Sequence, residues 1–173
     1  MIVPPDFGGL FAATRDLHKA CEKHPVGQRM AEGNITRQEW SDWLWALREL
    51  HRSCDRAVPE HMNRDAVLTS DLALLPPGRS SEAAIAWSIA LTQMPDVTGA
   101  AYVLHGAHRS GGRKMGPILV RRGLPVQHII YVDPAAAQAW VRNARTREDC
   151  APVARATFDC LLGVMDEIEG RRA

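Results

Sequence analysis

The segment Thr14-Arg-Asp-Leu-His-Lys-Ala-Cys-Glu22 carries the pattern that bears most directly on both the fold and the chemistry of this chain. It has helical spacing, and one face of the predicted helix carries Phe11, Thr14, Leu17, His18 and Cys21. His18 is the only histidine on that face. An imidazole that faces an apolar interior is either a core residue hydrogen-bonded to a neighbour or a ligand of iron, copper or zinc. Spacing alone leaves both interpretations open.

Helix signals recur along the rest of the chain, whereas strand signals are nearly absent. The capping box Thr36-Arg-Gln-Glu39 predicts the start of a long helix that continues to Cys54. Further helices are predicted over about 9–23, 61–75, 81–93 and 96–119, and from about 133 and 146 onward. The one strand-like run, 126–132, is short and has no partner, so we interpret it as helix or buried connection. About seven helices predict an all-α fold.

Composition narrows the class of protein. A length of 173 residues predicts a single domain over 1–173, with its core over about 9–170. The net charge of +1 argues against a nucleic-acid partner, and the chain has no apolar run long enough to span a membrane. The N-terminus lacks the pattern of a signal peptide, and the four cysteines have no Cys-x-x-Cys spacing, which favours a cytoplasmic protein.

Several motifs, in order and at matching spacing, resemble the heme oxygenases. The first is Thr14-x-x-x-His18-x-x-x-Glu22, followed by Met30, Gly33 and Thr36. The others are Arg64-x-x-x-Leu68-x-x-Asp71-Leu72, Gly99-Ala-Ala-Tyr-Val-Leu-His-Gly106, Ser110-Gly-Gly-Arg113 and Thr157-Phe158. Each piece is weak alone, but the ordered set extends from about residue 10 to 165 and resembles the small bacterial, biliverdin-producing type.

The resemblance implies a single-domain multi-helix bundle that holds heme b between the first, proximal helix and a kinked, glycine-rich distal helix. It implies that His18 is the axial ligand of the heme iron. The implied reaction is a monooxygenase reaction that opens heme to biliverdin, carbon monoxide and ferrous iron. The implied partners are dioxygen and an electron donor such as a ferredoxin or an NADPH-dependent reductase.

The distal segment supplies the glycines that such a site needs. Gly106, Gly111 and Gly112 lie close together, although a glycine inside a helix costs about 0.5–1 kcal/mol relative to alanine. A kink, or a close approach of the backbone to a ligand, would explain why they are present. The alternative is a helix that ends near Gly111 and continues as a loop.

Two histidines depart from the family pattern. His105 stands where small bacterial members often have glutamate, and His108 where many members have the aspartate that organises the proton-delivering water. Histidine can also hold water and carry protons. It can alternatively bind iron and block dioxygen, or simply lie on the solvent face, and the sequence leaves these alternatives open.

The remaining candidate residues follow from the resemblance. The family positions near heme correspond here to Thr14, Arg15 and Tyr102, and Arg15 is expected near the heme propionates. Arg109 and Arg113 are further candidates, because arginine binds carboxylates with two hydrogen bonds. His24, His51, His61 and His128 match no family ligand, and we interpret them as surface or capping groups.

Three other functions remain open. The chain could be a structural or interaction domain that binds no chromophore, and two further functions are possible on the same fold. One is a heme carrier or sensor that does not cleave heme, which the two added histidines favour. The other is a non-heme iron enzyme, which needs inward-facing carboxylates and histidines at helical spacing. Acidic candidates for that set are Glu22, Glu49, Glu60 and Asp71, but no paired Glu-x-x-His motif accompanies them.

Overall fold

The computed structural model describes residues 8–172, and over these residues it is helical and contains no strand. The nine α-helices described are α1 (Gly9–Lys23), α2 (Pro25–Glu32), α3 (Arg37–Cys54), α4 (Asp65–Leu72), α5 (Glu82–Thr92), α6 (Thr98–Arg109), α7 (Gly111–Arg121), α8 (Pro134–Arg145) and α9 (Ala151–Gly170). The all-α prediction is confirmed. The N-terminal stretch in which no signal peptide was expected lies almost entirely outside the described residues.

Helix α1 has the bounds that the sequence predicted, but α2 was not predicted. Pro25 ends α1, because the residue before a proline is driven out of the helical region, and His24 accordingly has ψ 141°. The same proline occupies the first turn of α2, where its missing N–H costs nothing. Gly33 ends α2 with φ 72°, a left-handed conformation that favours glycine.

Two predicted helices are shorter in the structure. The helix expected over 61–75 is reduced to α4, preceded by a 3-10 turn at Glu60–Met62. The last helix begins at Ala151, because 148–150 form a 3-10 turn. Segment 126–132 contains a 3-10 turn, Gln127–Ile129, within a connection, in agreement with the sequence interpretation.

The distal segment, predicted as one helix, forms two. Helix α6 ends at Arg109 and α7 begins at Gly111, and Ser110 between them has φ −106° and ψ −66°. The hydroxyl of Ser110 donates to the carbonyl oxygen of Gly106 at 2.7 Å, which satisfies a carbonyl at the end of α6. The interruption therefore falls within the glycine-rich stretch.

Helices α3, α6 and α9 form the centre of the fold. Helix α9 packs against α1, α5 and α6, while α3 packs against α4 and α5. Leu10, Leu44, Leu50, Leu104 and Ile168 are at most 1% exposed and anchor this core. This packing holds α1 on one side of α9 and the α6–α7 pair on another, so the proximal and distal segments lie within the same part of the fold.

The capping box at the start of α3 provides a test of the fold. The Thr36 hydroxyl accepts from the backbone N–H of Glu39, and the Glu39 carboxylate accepts from the backbone N–H of Thr36. Thr36→Ala should lower the free energy of unfolding by about 1 kcal/mol, measured by urea denaturation. Thr69→Ala, at an exposed position within α4, is the matched control and should change it by less than about 0.5 kcal/mol. Equal effects of the two substitutions would contradict the capping role.

Candidate functional site

A cavity of about 410 Å³ lies between α1 and the distal helices α6 and α7. Cavities of roughly 300–1,000 Å³ with mostly apolar walls are typical of sites for small molecules and cofactors. The apolar lining residues include Met30, Trp40, Trp43, Leu47, Leu104, Met115, Phe158, Leu161 and Met165. The space therefore suits a mainly apolar ligand that makes a few polar contacts.

His18 lines this cavity from α1. Its side chain is 46% exposed, and its Nδ1 lies 3.6 Å from Oε1 of Glu22, one turn further along the helix. The ring also meets Phe158 edge-on, with the ring centroids 6.0 Å apart. A carboxylate beside Nδ1 and an aromatic ring beside the imidazole leave Nε2 as the nitrogen available to a ligand in the cavity, an arrangement common for histidines that bind metals.

Gly111 and Gly112 line the opposite wall. A methyl group added at Gly111 would find no atom closer than Met115 Cε at 3.7 Å, whereas at Gly112 it would lie 3.0 Å from Ile129 Cγ2. Gly111 thus leaves room on the cavity side, and Gly112 allows α7 to approach Ile129. Gly106, the alternative contact, does not line the cavity, and a methyl group there would be nearest Val141 of α8.

Other residues singled out by the resemblance lie away from the cavity wall. They are Thr14, Arg15, Tyr102, His105, Arg109 and Arg113. The Thr14 hydroxyl is already used, since it donates to the carbonyl oxygen of Leu10 at 2.7 Å. Tyr102 is buried, which raises the pKa of its phenol. Arg15 and Arg113 are exposed on α1 and α7, the two helices that carry His18 and the glycines.

Both distal histidines are buried rather than on the solvent face. His105 is 0% and His108 5% exposed, and only His108 lines the cavity. Nε2 of His108 lies 2.9 Å from Nε2 of His51, whose Nδ1 lies 2.9 Å from Oδ1 of Asp55. The same carboxylate oxygen lies 2.9 Å from Nε2 of His105, whose Nδ1 is 2.6 Å from the hydroxyl of Tyr131.

The interpretation of His51 and His128 as surface or capping groups was wrong. His51 is 0% and His128 1% exposed, because α3 and the 3-10 turn that carry them face the distal wall. His128 lines the cavity, and its Nδ1 lies 2.7 Å from Oδ2 of Asp71. Asp71 also accepts from the backbone N–H groups of Gln127 and His128. His24 does cap a helix, α2, and His61 is exposed, as interpreted.

Burial dominates the electrostatics of this cluster. It lowers the pKa of His105 to about 4 and lowers those of His108 and His128. Burial alone would raise the pKa of Asp55, but His51 and His105 reverse that effect and hold it well below its usual range. The cluster is therefore built around one carboxylate that stays charged, with imidazoles at two of its contacts.

Trp40, Trp43 and Lys114 also line the cavity and were not candidates from the sequence. Trp40 is buried and Trp43 is half-buried, and both face the cavity. Lys114, exposed at the cavity, is a cation suited to a ligand carboxylate. Its position three residues after Gly111 on the same helix is the signal that could have identified it.

The buried histidines predict sensitivity to acid. The pKa of His105 falls from 6.5 to about 4 on folding, so the folded chain binds this proton less tightly than the unfolded chain. Above pH 6.5 His105 is neutral in both states, so its shifted pKa has no effect on stability. As the pH falls from about 6.5 to 4, only the unfolded chain gains the proton, and the free energy of unfolding decreases by about 3 kcal/mol. Urea denaturation between pH 7 and 4.5 should show a weaker pH dependence in His105→Gln than in the unmodified chain. The exposed-site control His61→Gln should retain the full dependence, and an unchanged dependence in His105→Gln would contradict the assignment.

Comparisons with known proteins bear on the fold. No family model and no curated protein matches the sequence. Among solved structures, the chain is similar to heme oxygenase-1 from the cyanobacterium Synechocystis sp. PCC6803, determined in complex with heme. The TM-score is 0.71 at 14% identity, over 94% of this chain and 90% of that one. The chain thus has the fold of a heme oxygenase, as the motif resemblance predicted.

Proposed function

We propose that this chain binds heme b in the cavity, with His18 as the axial ligand of iron, and opens the ring oxidatively to biliverdin, carbon monoxide and ferrous iron. The reaction uses dioxygen and electrons from an external donor such as a ferredoxin or an NADPH-dependent reductase. The observation that carries the proposal is the pairing across one apolar cavity of a half-exposed imidazole with Gly111, on a heme oxygenase fold.

The residues present fit the group. Heme supplies the iron at which dioxygen reacts and is itself the substrate. His18 offers Nε2, and the Glu22 carboxylate lies 3.6 Å from its Nδ1. The apolar walls would bury the macrocycle, and Lys114 at the exposed part of the cavity would pair with a propionate. Gly111 leaves space for a small molecule on the distal side, and His108 places an imidazole there that can hold or move a proton.

A heme carrier or sensor is the second candidate, and one observation favours it. His108 and His128 both line the cavity, and neither Nδ1 of His108 nor Nε2 of His128 has a hydrogen-bond partner within residues 8–172. An imidazole nitrogen that reaches iron would compete with dioxygen. The space left by Gly111 favours the enzyme, since a sixth ligand would leave that space without a use.

The non-heme iron alternative has a specific cluster in its favour. Donor atoms of His51, Asp55 and His105 lie within 4.8 Å of one another, a set that suits a divalent metal. The cluster is separate from the cavity lining, however, and its donors already bond to one another. The acidic set considered from the sequence contributes none of these three residues, and we rank this function below the other two.

The axial-ligand assignment is tested by substitution of His18. His18→Ala should abolish or shift the near-ultraviolet heme band of the hemin complex towards that of free hemin, because no nitrogen then reaches iron from α1. Hemin titration followed by absorption spectroscopy measures this. His61→Ala, an exposed histidine outside the cavity, is the matched control and should leave the spectrum unchanged. The same band in His18→Ala as in the unmodified chain would refute the assignment.

The glycine contact gives a second test. Gly111→Leu should weaken hemin or dioxygen binding at least about tenfold, because its side chain would project into the cavity. Gly106→Leu is the matched control, since its side chain would face Val141 rather than the cavity, and circular dichroism checks that both variants fold. If Gly106→Leu impairs binding and Gly111→Leu does not, the contact lies in the other register.

Turnover separates the enzyme from the carrier. The hemin complex is supplied with an electron donor, dioxygen and catalase, and the absorption spectrum is followed. We expect loss of the heme band with the appearance of biliverdin absorption. A stable low-spin spectrum that becomes high-spin in His108→Ala or His128→Ala would identify the chain as a carrier or sensor.

A further inference from the structure

In the buried cluster of His51, Asp55, His105, His108 and Tyr131, the donor and acceptor of most hydrogen bonds can be assigned. Asp55 accepts the backbone N–H of Arg64 on Oδ2 at 2.8 Å, while Oδ1 lies 2.9 Å from both His51 Nδ1 and His105 Nε2. The low pKa of Asp55 keeps the carboxylate ionised, so both imidazoles must donate to it. The chemistry of one oxygen thereby fixes the tautomers of two histidines.

The tautomer of His51 determines the tautomer of His108, which lines the cavity. In neutral His51 the proton on Nδ1 leaves Nε2 as an acceptor, so the 2.9 Å contact requires His108 to donate from its own Nε2. The remaining nitrogen of His108, Nδ1, then carries a lone pair and has no partner within the described chain. His108 lines the cavity, so in this state the wall presents a hydrogen-bond acceptor.

We propose that His51 and Asp55 form a store for one proton, which turns His108 from an acceptor into a donor on the cavity wall. A proton added at Nδ1 of His108 makes the ring cationic, and the proton on its Nε2 then moves to Nε2 of His51. His108 is left neutral with a proton on Nδ1, and His51 becomes the cation beside the Asp55 carboxylate. In the reverse direction His108 gives its Nδ1 proton to an acceptor in the cavity and recovers one from His51, so protons and charge balance.

The charge distribution places the stored proton on His51. Of the two rings, only His51 is bonded to Asp55. Positive charge on the His108 ring is disfavoured by its burial first, and then by His51, His128, His105 and Arg64. The store also ends at Asp55, because its carboxylate only accepts from the rings on either side. His105 and Tyr131 beyond it orient the carboxylate and do not continue a proton path.

Other charged and titratable groups of residues 8–172 lie near the cluster. The guanidinium carbons of Arg64 and Arg109 lie 4.1 Å and 5.7 Å from the Tyr131 ring centroid, Cys54 lies 3.9 Å from Asp55, and Asp71 is engaged by His128. Burial raises the pKa of both Cys54 and Tyr131, which keeps them neutral. Arg64 opposes further positive charge on the histidines, which limits the store to one proton.

This inference rests on the proposed function for the role of the cavity, but it is tested on the chain without heme. Nitrogen-15 NMR of the imidazoles over a pH series reports which ring nitrogen carries a proton. As the pH falls, His51 should gain a proton on Nε2 and His108 should switch from Nε2–H to Nδ1–H, with one shared midpoint. Separate midpoints, or a proton that stays on Nε2 of His108 throughout, would overturn the store.

A charge-removing variant makes the test sharper. Asp55→Asn should lower the shared midpoint by about 1–3 pH units, because the stored proton loses its counter-ion. Asp65→Asn removes a carboxylate that pairs with Arg52 on the surface and should leave the midpoint unchanged. If Asp55→Asn does not fold, as judged by circular dichroism, the shared midpoint in the unmodified chain alone decides.

The store and the proposed function can fail separately. A shared midpoint in a chain that forms no biliverdin would refute the enzyme and leave the store in place. Biliverdin formation with uncoupled histidines would refute the store and leave the enzyme in place. Where both hold, the pH profile of biliverdin formation should shift in Asp55→Asn in the same direction as the midpoint.

Discussion

The buried carboxylate of Asp55 is the constraint on which the distal side of this molecule depends. It lies directly after α3, and it accepts from His51 on α3, from His105 on α6 and from the backbone of Arg64 in the connection to α4. A buried charge without such partners would cost several kcal/mol, so these three segments must stay together. Because α6 is fixed in this way, the cavity wall formed by Leu104 and His108 is fixed as well.

On the proximal side, the position of His18 depends on the packing of one helix. Helix α1 packs against α9, and His18 remains half-exposed because the cavity lies beside it. Opposite it, the interruption at Ser110 separates α6 from α7, and Gly111 leaves the distal wall without a side chain at that point. An imidazole on one wall and a bare backbone on the other make an asymmetric cavity, which suits a ligand that is held on one face and reacts on the other.

Local sequence patterns predicted the parts of this structure that local interactions determine. The bounds of α1, the Thr36 capping box and the Asp133-Pro134 helix start each depend on residues within one or two turns. Helix α2 was missed because Pro25 both ends one helix and begins the next. The α6–α7 interruption falls where the sequence left a kink and a helix end open, because glycines fit either. The motif resemblance predicted the fold, which the similarity to a solved heme oxygenase confirms. The single-domain boundary and the roles of the site residues stay predictions.

Local sequence patterns did not predict the buried histidine cluster. His51 and His108 are 57 residues apart, and His128 and Asp71 are also 57 residues apart, so no helical or strand period relates them. A lone histidine on a predicted helix gives no sign of whether its partner is water or a buried carboxylate. His51 and Asp55, four residues apart at the end of α3, were the one local signal. Lys114 was not predicted because arginine, the better bidentate partner for carboxylates, made Arg113 the candidate on this helix.

The central claim is that heme lies between α1 and the α6–α7 pair with His18 bonded to iron, and a crystal structure of the hemin complex tests it most directly. We expect iron bonded to Nε2 of His18, with the opposite face of the ring next to Gly111 and open to a small molecule. Iron bonded instead to His108 or His128, or hemin bound outside the cavity, would contradict the account.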